Sequence, residues 1–222
     1  HYGIDGYIIP KNDEYFSEFA NNDKLKTITN FDGSAGLAII LKKKNFLFVD
    51  GRYTIQAKKQ SSKDFKIIEI HRFLPHKILR NIKLGFDPKL FTERQLKIYF
   101  NNKLTLKPIS KNLIDEVFKN KNTRYRPFFS LSEKVAGESH KSKISKIIKI
   151  MKSYSADYIF ISAPENVAWL LNIRGSDNPN SPIPNCRLVL SKKKEIFLIS
   201  FKNQVSKIIK QKKLGNCKII EP

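Results

Sequence analysis

The histidines are the first residues to consider for chemistry, because a hydrolytic metal site needs imidazoles and carboxylates that converge at about 2.0–2.2 Å from the ion. The sequence has four of them, His1, His71, His76 and His140. His71 and His76 are separated by a segment that contains Pro75, and their spacing is not the i, i+4 spacing of a helical ligand pair. The H-E-x-x-H motif is absent. We therefore predict a surface or structural role for each histidine.

The nucleophilic side chains give no stronger signal. Cys186 and Cys217 are far apart, and each lies in an apolar, strand-like segment, so we expect buried thiols rather than a disulfide. Ser34 follows a glycine in a sharp turn but lacks the G-x-S-x-G elbow of serine hydrolases. The segment from Gly33 to Gly36 is too short to cradle a phosphate. The residues thus indicate no catalytic group within this chain.

A hairpin between two turns organises the first half of the chain. The turn Phe31–Gly36 (FDGSAG) leads into two apolar runs, Leu37–Leu41 and Phe46–Val49, which a lysine-rich tip joins into a predicted β-hairpin. The turn Asp50–Tyr53 (DGRY) follows, and Thr54–Gln60 is expected to enter a helix.

Local patterns predict the other elements of this half. Asn12 or Asp13 is expected to cap a helix, because apolar residues follow at helical spacing. The residues on that stripe are Phe16, Phe19 and Ala20. Thr92 and Gln95 form a capping-box pattern ahead of a second helix. Strands are predicted at residues 7–9, 65–70, 83–86 and 104–106, and short helices at 71–82, with an interruption around Pro75, and at 113–118.

The polar segment 120–127 ends in a proline and has no hydrophobic periodicity, which is typical of a linker. We therefore predict two domains, residues 1–126 and 127–222. The clearest amphipathic helix, Lys143–Lys152, lies in the second domain. Trp169 falls in a later helical segment, where we expect it to join the core rather than form a ligand platform.

The second half of the chain repeats the first at an offset of about 150 residues, which predicts two copies of one fold. The matched pairs are residues 7–9 with 158–160, the hairpin 37–49 with 187–199, and the KIIE segments 66–69 with 218–221. The later strand–helix pairs of the first copy, residues 83–118, have no counterpart. We therefore expect a truncated second copy with an unpaired edge and an uncovered apolar face, in a protein that continues past Pro222.

Composition restricts the class of protein. With 222 residues, 41% of them hydrophobic, the chain is long enough for one large or two modest α/β domains. The net charge of +22 suggests a nucleic-acid partner, but the lysines are scattered, and the densest groups, 42–44 and 192–194, fall at hairpin tips. Weak polyanion binding is therefore kept only as an alternative. No apolar run approaches the ~18 residues of a membrane span, and we expect a cytoplasmic protein.

The motifs FDGSAG and DGRY resemble the N-terminal region of aminopeptidase P, a group of Xaa-Pro aminopeptidases in the creatinase/prolidase, or pita-bread, family. The resemblance continues in the same order through nearly the whole chain. Its other motifs are Asp5–Pro10 (DGYIIP), Ser17–Phe19, Gly85–Pro88, Arg126–Pro127 and Asn172–Asp177 (NIRGSD). It implies two tandem α/β domains of the creatinase N-terminal type, each a mixed β-sheet flanked by helices.

This resemblance implies that the chain is the non-catalytic front of a metal-dependent enzyme that removes an N-terminal residue preceding proline. In that family two divalent metal ions, usually manganese, are held by two Asp, one His and two Glu of a C-terminal catalytic domain. None of those ligands has a counterpart here, so we expect this chain alone to be inactive. The domains are expected to restrict the cleft to short peptides and to support a homodimer. The alternative is a stand-alone interaction or dimerisation module.

Four residues are candidates for contacts in such a substrate cleft: Arg52, Tyr53, Arg174 and Asp177. Residues in turns at strand ends can reach across an interface, and the guanidinium fork suits a carboxylate such as a peptide C-terminus. The alternative is structural: Arg52 pairs with Asp32 or Asp50, and Arg174 with Asp177, so that both pairs hold their turns.

Overall fold

The computed structural model describes residues 2–17, 20, 22–118, 126–211, 213–215 and 217–222. The chain forms two compact units, His1–Lys121 and Asn122–Pro222. Residues 120–125 of the predicted linker lie outside the described residues. The predicted domain boundary after residue 126 therefore stays a prediction.

The first unit is built on a mixed β-sheet with the strand order β4-β3-β2-β1-β5-β6. Strand β2 is antiparallel to β1 and β3, whereas β3–β4, β1–β5 and β5–β6 pair in parallel. The strands are β1 (Gly6–Pro10), β2 (Gly36–Leu41), β3 (Asn45–Val49), β4 (Phe65–Glu69), β5 (Lys83–Phe86) and β6 (Thr105–Pro108). The predicted hairpin is confirmed as β2 and β3.

Apolar cores lie on both faces of this sheet, because side chains alternate between faces along each strand. One core holds Phe31 and Leu47 together with Ala57 of a flanking helix, and the other holds Phe48 and Phe100. The helices are α1 (Lys24–Thr29), α2 (Thr54–Gln60), α3 (Pro75–Ile78), α4 (Glu93–Phe100) and α5 (Leu113–Val117). The sheet is thus sandwiched within its own unit.

Two predicted helix starts can be compared with the structure. The hydroxyl of Thr92 accepts from the backbone N–H of Gln95, whose side chain accepts from the backbone N–H of Thr92, so the predicted capping box of α4 is confirmed. Pro75 was expected to interrupt a helix, but it occupies the first turn of α3. Proline is favoured there because the first helical N–H groups have no partner within the helix.

The predicted helix with Phe16 and Ala20 on its stripe is wrong for the described residues, and Phe19 lies outside them. The carboxylate of Asp13 accepts from the backbone N–H groups of Tyr15 and Ser17, which stabilises a turn. Phe16 has φ 59° and is exposed. The helix begins only at α1, where Asp23 is the N-cap.

The second unit has a smaller sheet with the strand order β12-β11-β10-β8, and a separate antiparallel pair, β7 with β9. Its strands are β7 (Phe129–Ser130), β8 (Tyr158–Ile161), β9 (Ile173–Arg174), β10 (Arg187–Ser191), β11 (Ile196–Ile199) and β12 (Cys217–Ile220). Its helices are α6 (Glu133–Ala136), α7 (His140–Ser153), α8 (Pro164–Leu171) and α9 (Lys202–Lys210).

The two sheets share one topology, which confirms the predicted repeat. The order β12-β11-β10-β8 matches β4-β3-β2-β1. In both, the first pair is parallel and the next two are antiparallel. In the part of the chain that the structure describes, no helix is both long and apolar enough to span a membrane.

Candidate functional site

The DGRY turn presents one of the candidate arginines. Asp50 is the N-cap of a short 3-10 helix, Gly51–Tyr53, and its Oδ1 accepts from the backbone N–H of Arg52 at 3.0 Å and from Arg52 Nε at 2.9 Å. These hydrogen bonds from Arg52 hold the pKa of the Asp50 carboxyl far below its usual range. The Arg52 side chain is 74% exposed. The turn therefore anchors Arg52 through its Nε, while most of the side chain is exposed.

Tyr53 joins the two motifs of the hairpin. Its hydroxyl lies 2.8 Å from Ser34 Oγ in FDGSAG, and its ring stands edge-on to Phe31 with centroids 5.9 Å apart. The guanidinium carbon of Arg52 lies 5.5 Å from the Tyr53 ring centroid, within cation–π range. The two turns are thus one connected structure.

The pairing proposed for Arg52 as a structural alternative is observed with Asp50. Asp32, the other partner considered, accepts hydrogen bonds from the side-chain amides of Gln60 at 2.7 Å and Gln56 at 2.8 Å. Both hydrogen bonds lower the pKa of the Asp32 carboxyl, and the one from Gln60 has the larger effect. Asp32 thereby ties the first turn to α2.

In the second unit the NIRGSD motif begins at the end of α8. Asn172 is in the left-handed region, and its Oδ1 accepts from the Nζ of the buried Lys143 at 2.7 Å. Lys143 Nζ also donates to the carbonyl of Trp169 at 2.8 Å. Arg174 Nη1 donates to the carbonyls of Ile173 at 2.8 Å and Ala168 at 3.2 Å. Arg174 thus binds the C-terminal end of α8.

Asp177 lies deeper, with 9% of its surface exposed. Its Oδ2 accepts from the backbone N–H of Asn185 at 2.7 Å, and its Oδ1 accepts from Gln204 Nε2 of α9 at 2.7 Å. Burial raises the pKa of Asp177. This carboxylate therefore fastens the loop after β9 to a helix, a role that its position in a turn motif did not predict.

Trp169 was expected in the core, and this prediction is wrong. The side chain is 53% exposed, and Lys143 Nζ lies 4.4 Å from its ring centroid. The spacing of the apolar residues indicates this exposure, since the buried residues of α8 are Pro164, Val167, Ala168, Leu170 and Leu171, and Trp169 is not among them.

The histidines and cysteines have individual, mostly structural surroundings. His71 Nε2 lies 3.3 Å from Asp50 Oδ2, and His76 Nδ1 lies 3.0 Å from the Tyr99 carbonyl, whereas His1 is outside the described residues. Both cysteines are free; burial raises the pKa of Cys217 to about 11. Among the described residues no group of three or more His, Cys, Asp or Glu could hold a metal ion.

Comparison with known proteins assigns the family. A family model described as the Creatinase/Prolidase N-terminal domain matches residues 1–117, and a second model with the same description matches residues 119–221. "Probable Xaa-Pro aminopeptidase P" of Laccaria bicolor is 34% identical over 202 residues, covering 82% of this chain and 31% of that protein. "Xaa-Pro aminopeptidase 1" of Dictyostelium discoideum is 32% identical over 206 residues, covering 81% and 32%. The chain spans about a third of the length of these curated relatives.

A solved structure is similar to both units. It is the X-prolyl aminopeptidase of Caenorhabditis elegans, described as a cytosolic enzyme with a di-nuclear active site. It aligns with 98% of this chain and 38% of its own, at 26% identity and a TM-score of 0.83. Since one family model alone spans more than half of the chain, the chain belongs to the creatinase/prolidase N-terminal domain family.

Proposed function

We propose that this chain is the N-terminal, non-catalytic region of a metal-dependent Xaa-Pro aminopeptidase, which hydrolyses the bond between an N-terminal residue and a following proline. The observation that carries the proposal is the alignment of 98% of this chain with 38% of the chain of an X-prolyl aminopeptidase. The cytosolic description of that enzyme supports a cytoplasmic location for this protein.

The described residues do not fit the two metal ions that such an enzyme needs, because they contain no suitable ligand cluster. We therefore propose that residues outside this chain hold the ions, with manganese as the expected metal. The domains described here would border the substrate cleft, limit it to short peptides, contact the catalytic domain and support a homodimer.

The four candidate residues divide into two roles in this proposal. Arg52 and Tyr53 are the contact residues, because the Arg52 side chain is 74% exposed and the Tyr53 hydroxyl joins the two turns through Ser34. Arg174 and Asp177 hold the second motif in place through contacts with α8 and α9. A planar guanidinium at the cleft suits the C-terminal carboxylate of a short peptide.

Hydrolysis of an Xaa-Pro peptide with Mn²⁺ tests the proposal. We expect turnover by the full-length protein and none by residues 1–222, since the catalytic ligands are proposed to lie outside them. Product is measured by chromatography of the released N-terminal residue. Circular dichroism of the 222-residue chain is the control for folding. Turnover by residues 1–222, or a full-length protein that leaves the peptide intact in Mn²⁺, would contradict the proposal.

Arg52→Ala in the full-length protein tests the role of the DGRY turn. We expect KM for an Xaa-Pro tripeptide to rise about 10-fold with kcat little changed, because a contact to the substrate carboxylate contributes to binding before and during reaction. Amidation of the peptide C-terminus should remove most of the difference between variant and parent.

The matched control for Arg52→Ala is Arg72→Ala. Arg72 is equally exposed, at 73%, and its Nε forms an ion pair with Glu69 at 3.0 Å. Kinetic constants should be unchanged in this control. Equal KM for Arg52→Ala and the parent would exclude Arg52 from the substrate cleft.

A further inference from the structure

A cavity of about 480 Å³ lies in the second unit, between the start of α7 and the tip of the hairpin that joins β10 to β11. Its apolar lining consists of Ile144, Ile196 and Leu214, which are buried and belong to the core of this unit. Small-molecule sites in proteins usually measure about 300–1,000 Å³. The cavity is therefore large enough for a small molecule, and the core itself forms its base.

The polar lining of this cavity is strongly positive. Four lysines line it: Lys141 of α7, Lys193 and Lys194 of the hairpin tip, and Lys218 of β12. One glutamate, Glu195, lines it as well, and its Oε1 lies 3.5 Å from Lys218 Nζ. Four lysines against one glutamate leave an excess of three positive charges, which come together from three separate elements.

His140 lines the same cavity and adds a neutral group. Its burial, followed by the charge of Lys141, lowers the pKa of the His140 imidazole. The ring is therefore uncharged at pH 7 and has one N–H that can donate to an anion.

The backbone of the hairpin tip gives a separate indication that the lysines have a use. Residues 192–194 form a three-residue loop, in which the N–H of Lys194 donates to the carbonyl of Ser191 at 3.0 Å. Lys194 has φ 67°, and the residue at this place in such loops is usually glycine. Side chains other than glycine are strained in this region, and strain of this kind collects at functional sites. A lysine is thus present where glycine would form the turn more easily.

We propose that this cavity binds the polyphosphate group of a small anion, with Lys141 on one side and Lys193 and Lys194 on the other. A lysine ammonium binds phosphate as a point charge. A terminal phosphate carries about −1.5 to −2 charges at pH 7, so a chain of phosphates balances the excess charge and a single carboxylate does not. The same chemistry is offered by inorganic polyphosphate and by a nucleotide. This binding goes beyond the proposed peptidase role and does not depend on it.

Calorimetric titration of the 222-residue chain with inorganic tripolyphosphate tests the proposal. The variant is the double substitution Lys193→Gln and Lys194→Gln, at exposed positions where no folding defect is expected. We expect Kd for tripolyphosphate to rise about 10-fold or more, because charge-assisted hydrogen bonds are lost.

The matched control is the double substitution Lys43→Gln and Lys44→Gln, at the exposed tip of the equivalent hairpin between β2 and β3. It removes the same charge from the same chain, so its Kd should stay within about 2-fold of the parent value if attraction at a distance is screened by salt. An equal rise of Kd in both double variants would overturn the proposal in favour of general attraction to a chain of net charge +22.

Lys194→Gly separates the charge of this residue from the shape of the turn. Glycine adopts positive φ without strain, so Tm should stay the same or rise. Kd for tripolyphosphate should nevertheless rise about 3-fold, because one cation is lost. A parent-like Kd in this variant would contradict a role for Lys194.

ATP and adenosine identify the source of the phosphate group. Equal Kd values for ATP and tripolyphosphate would identify the phosphate chain alone as the ligand, whereas tighter binding of ATP would identify a nucleotide; both results support the shared chemistry. Binding of adenosine as tight as that of ATP, or no saturable binding of either phosphate compound, would overturn the proposal.

Acetylation of lysines, followed by mass spectrometry, gives a readout that needs no substitution. With tripolyphosphate at ten times Kd, acetylation of Lys141, Lys193 and Lys194 should slow about 5-fold or more, because only about a tenth of the sites are then empty. Lys43 and Lys44 should react at unchanged rates. Equal protection of both hairpin tips would contradict a site in this cavity.

Discussion

Replacing Asp177 with alanine is expected to lower the free energy of unfolding by about 3–5 kcal/mol, because two hydrogen bonds to a carboxylate are lost and one of the two donors stays buried. The donors are the backbone N–H of Asn185 and the side-chain amide of Gln204, which is 2% exposed. The loss would separate the loop after β9 from α9. Chemical denaturation of the 222-residue chain, with fluorescence from its single tryptophan, measures the change in the second unit.

Asp177→Asn is the control that isolates charge from shape. The amide oxygen can still accept one hydrogen bond, so we expect this variant to lose less stability than alanine. Burial raises the folded-state pKa of Asp177 above the unfolded value of 3.8. Folding therefore favours the protonated form of Asp177. The stability that this preference adds is fully present below the unfolded pKa of 3.8 and is lost as pH rises through the folded pKa.

The asparagine variant should lack this pH dependence. Relative to Asp177→Asn, the parent chain should become less stable as pH rises from about 3.8 through the folded pKa of Asp177. Equal destabilisation by asparagine and alanine at every pH would contradict the role of Asp177 as a buried acceptor.

Phe31→Ala is expected to lower the free energy of unfolding of the first unit by about 3–5 kcal/mol, the range for removing a fully buried aromatic ring. Phe31 is 0% exposed, and a Cβ on Gly33 would lie 2.2 Å from its Cζ, so the glycine leaves room for the ring. Because the ring also contacts Tyr53, the loss should loosen the DGRY turn. Unfolding in urea, followed by circular dichroism, measures the change.

The control for Phe31→Ala is Phe73→Ala, since Phe73 is 55% exposed. This change should stay within about 0.5 kcal/mol of the parent. Phe31→Leu should fall between the two, because leucine fills part of the same volume. A loss at Phe31 no larger than at Phe73 would mean that the hairpin does not depend on this packing.

The predictable parts of this fold depend on near neighbours in sequence. The hairpin follows from two apolar runs and a polar tip, and the capping box of Thr92 and Gln95 spans one helical turn. The Asp50–Arg52 pair is equally local. The incorrect helix near Asp13 shows the limit of such patterns, because a side-chain hydrogen bond to the backbone competed with apolar periodicity.

The parts that sequence did not predict depend on distant residues. Gln204 is 27 positions after Asp177, and nothing in the local pattern of either residue marks them as partners. Trp169 lies on α8, and the packing of α8 against the sheet decides which of its side chains are buried. Lys143 is buried beside that tryptophan, but nothing in its local sequence distinguishes it from the other lysines and arginines, which number 42 in total.

The two-sided core of the first unit has a consequence for biosynthesis. Among the described residues, the two cores that pack on β1–β4 are built from side chains between Ile4 and Ile114, all within the first unit. A ribosome adds about 5–20 residues per second, and domains tend to fold in the order in which they emerge. The first unit can therefore finish folding in the seconds during which the second is still being translated, which shortens the time its apolar strands are open to aggregation.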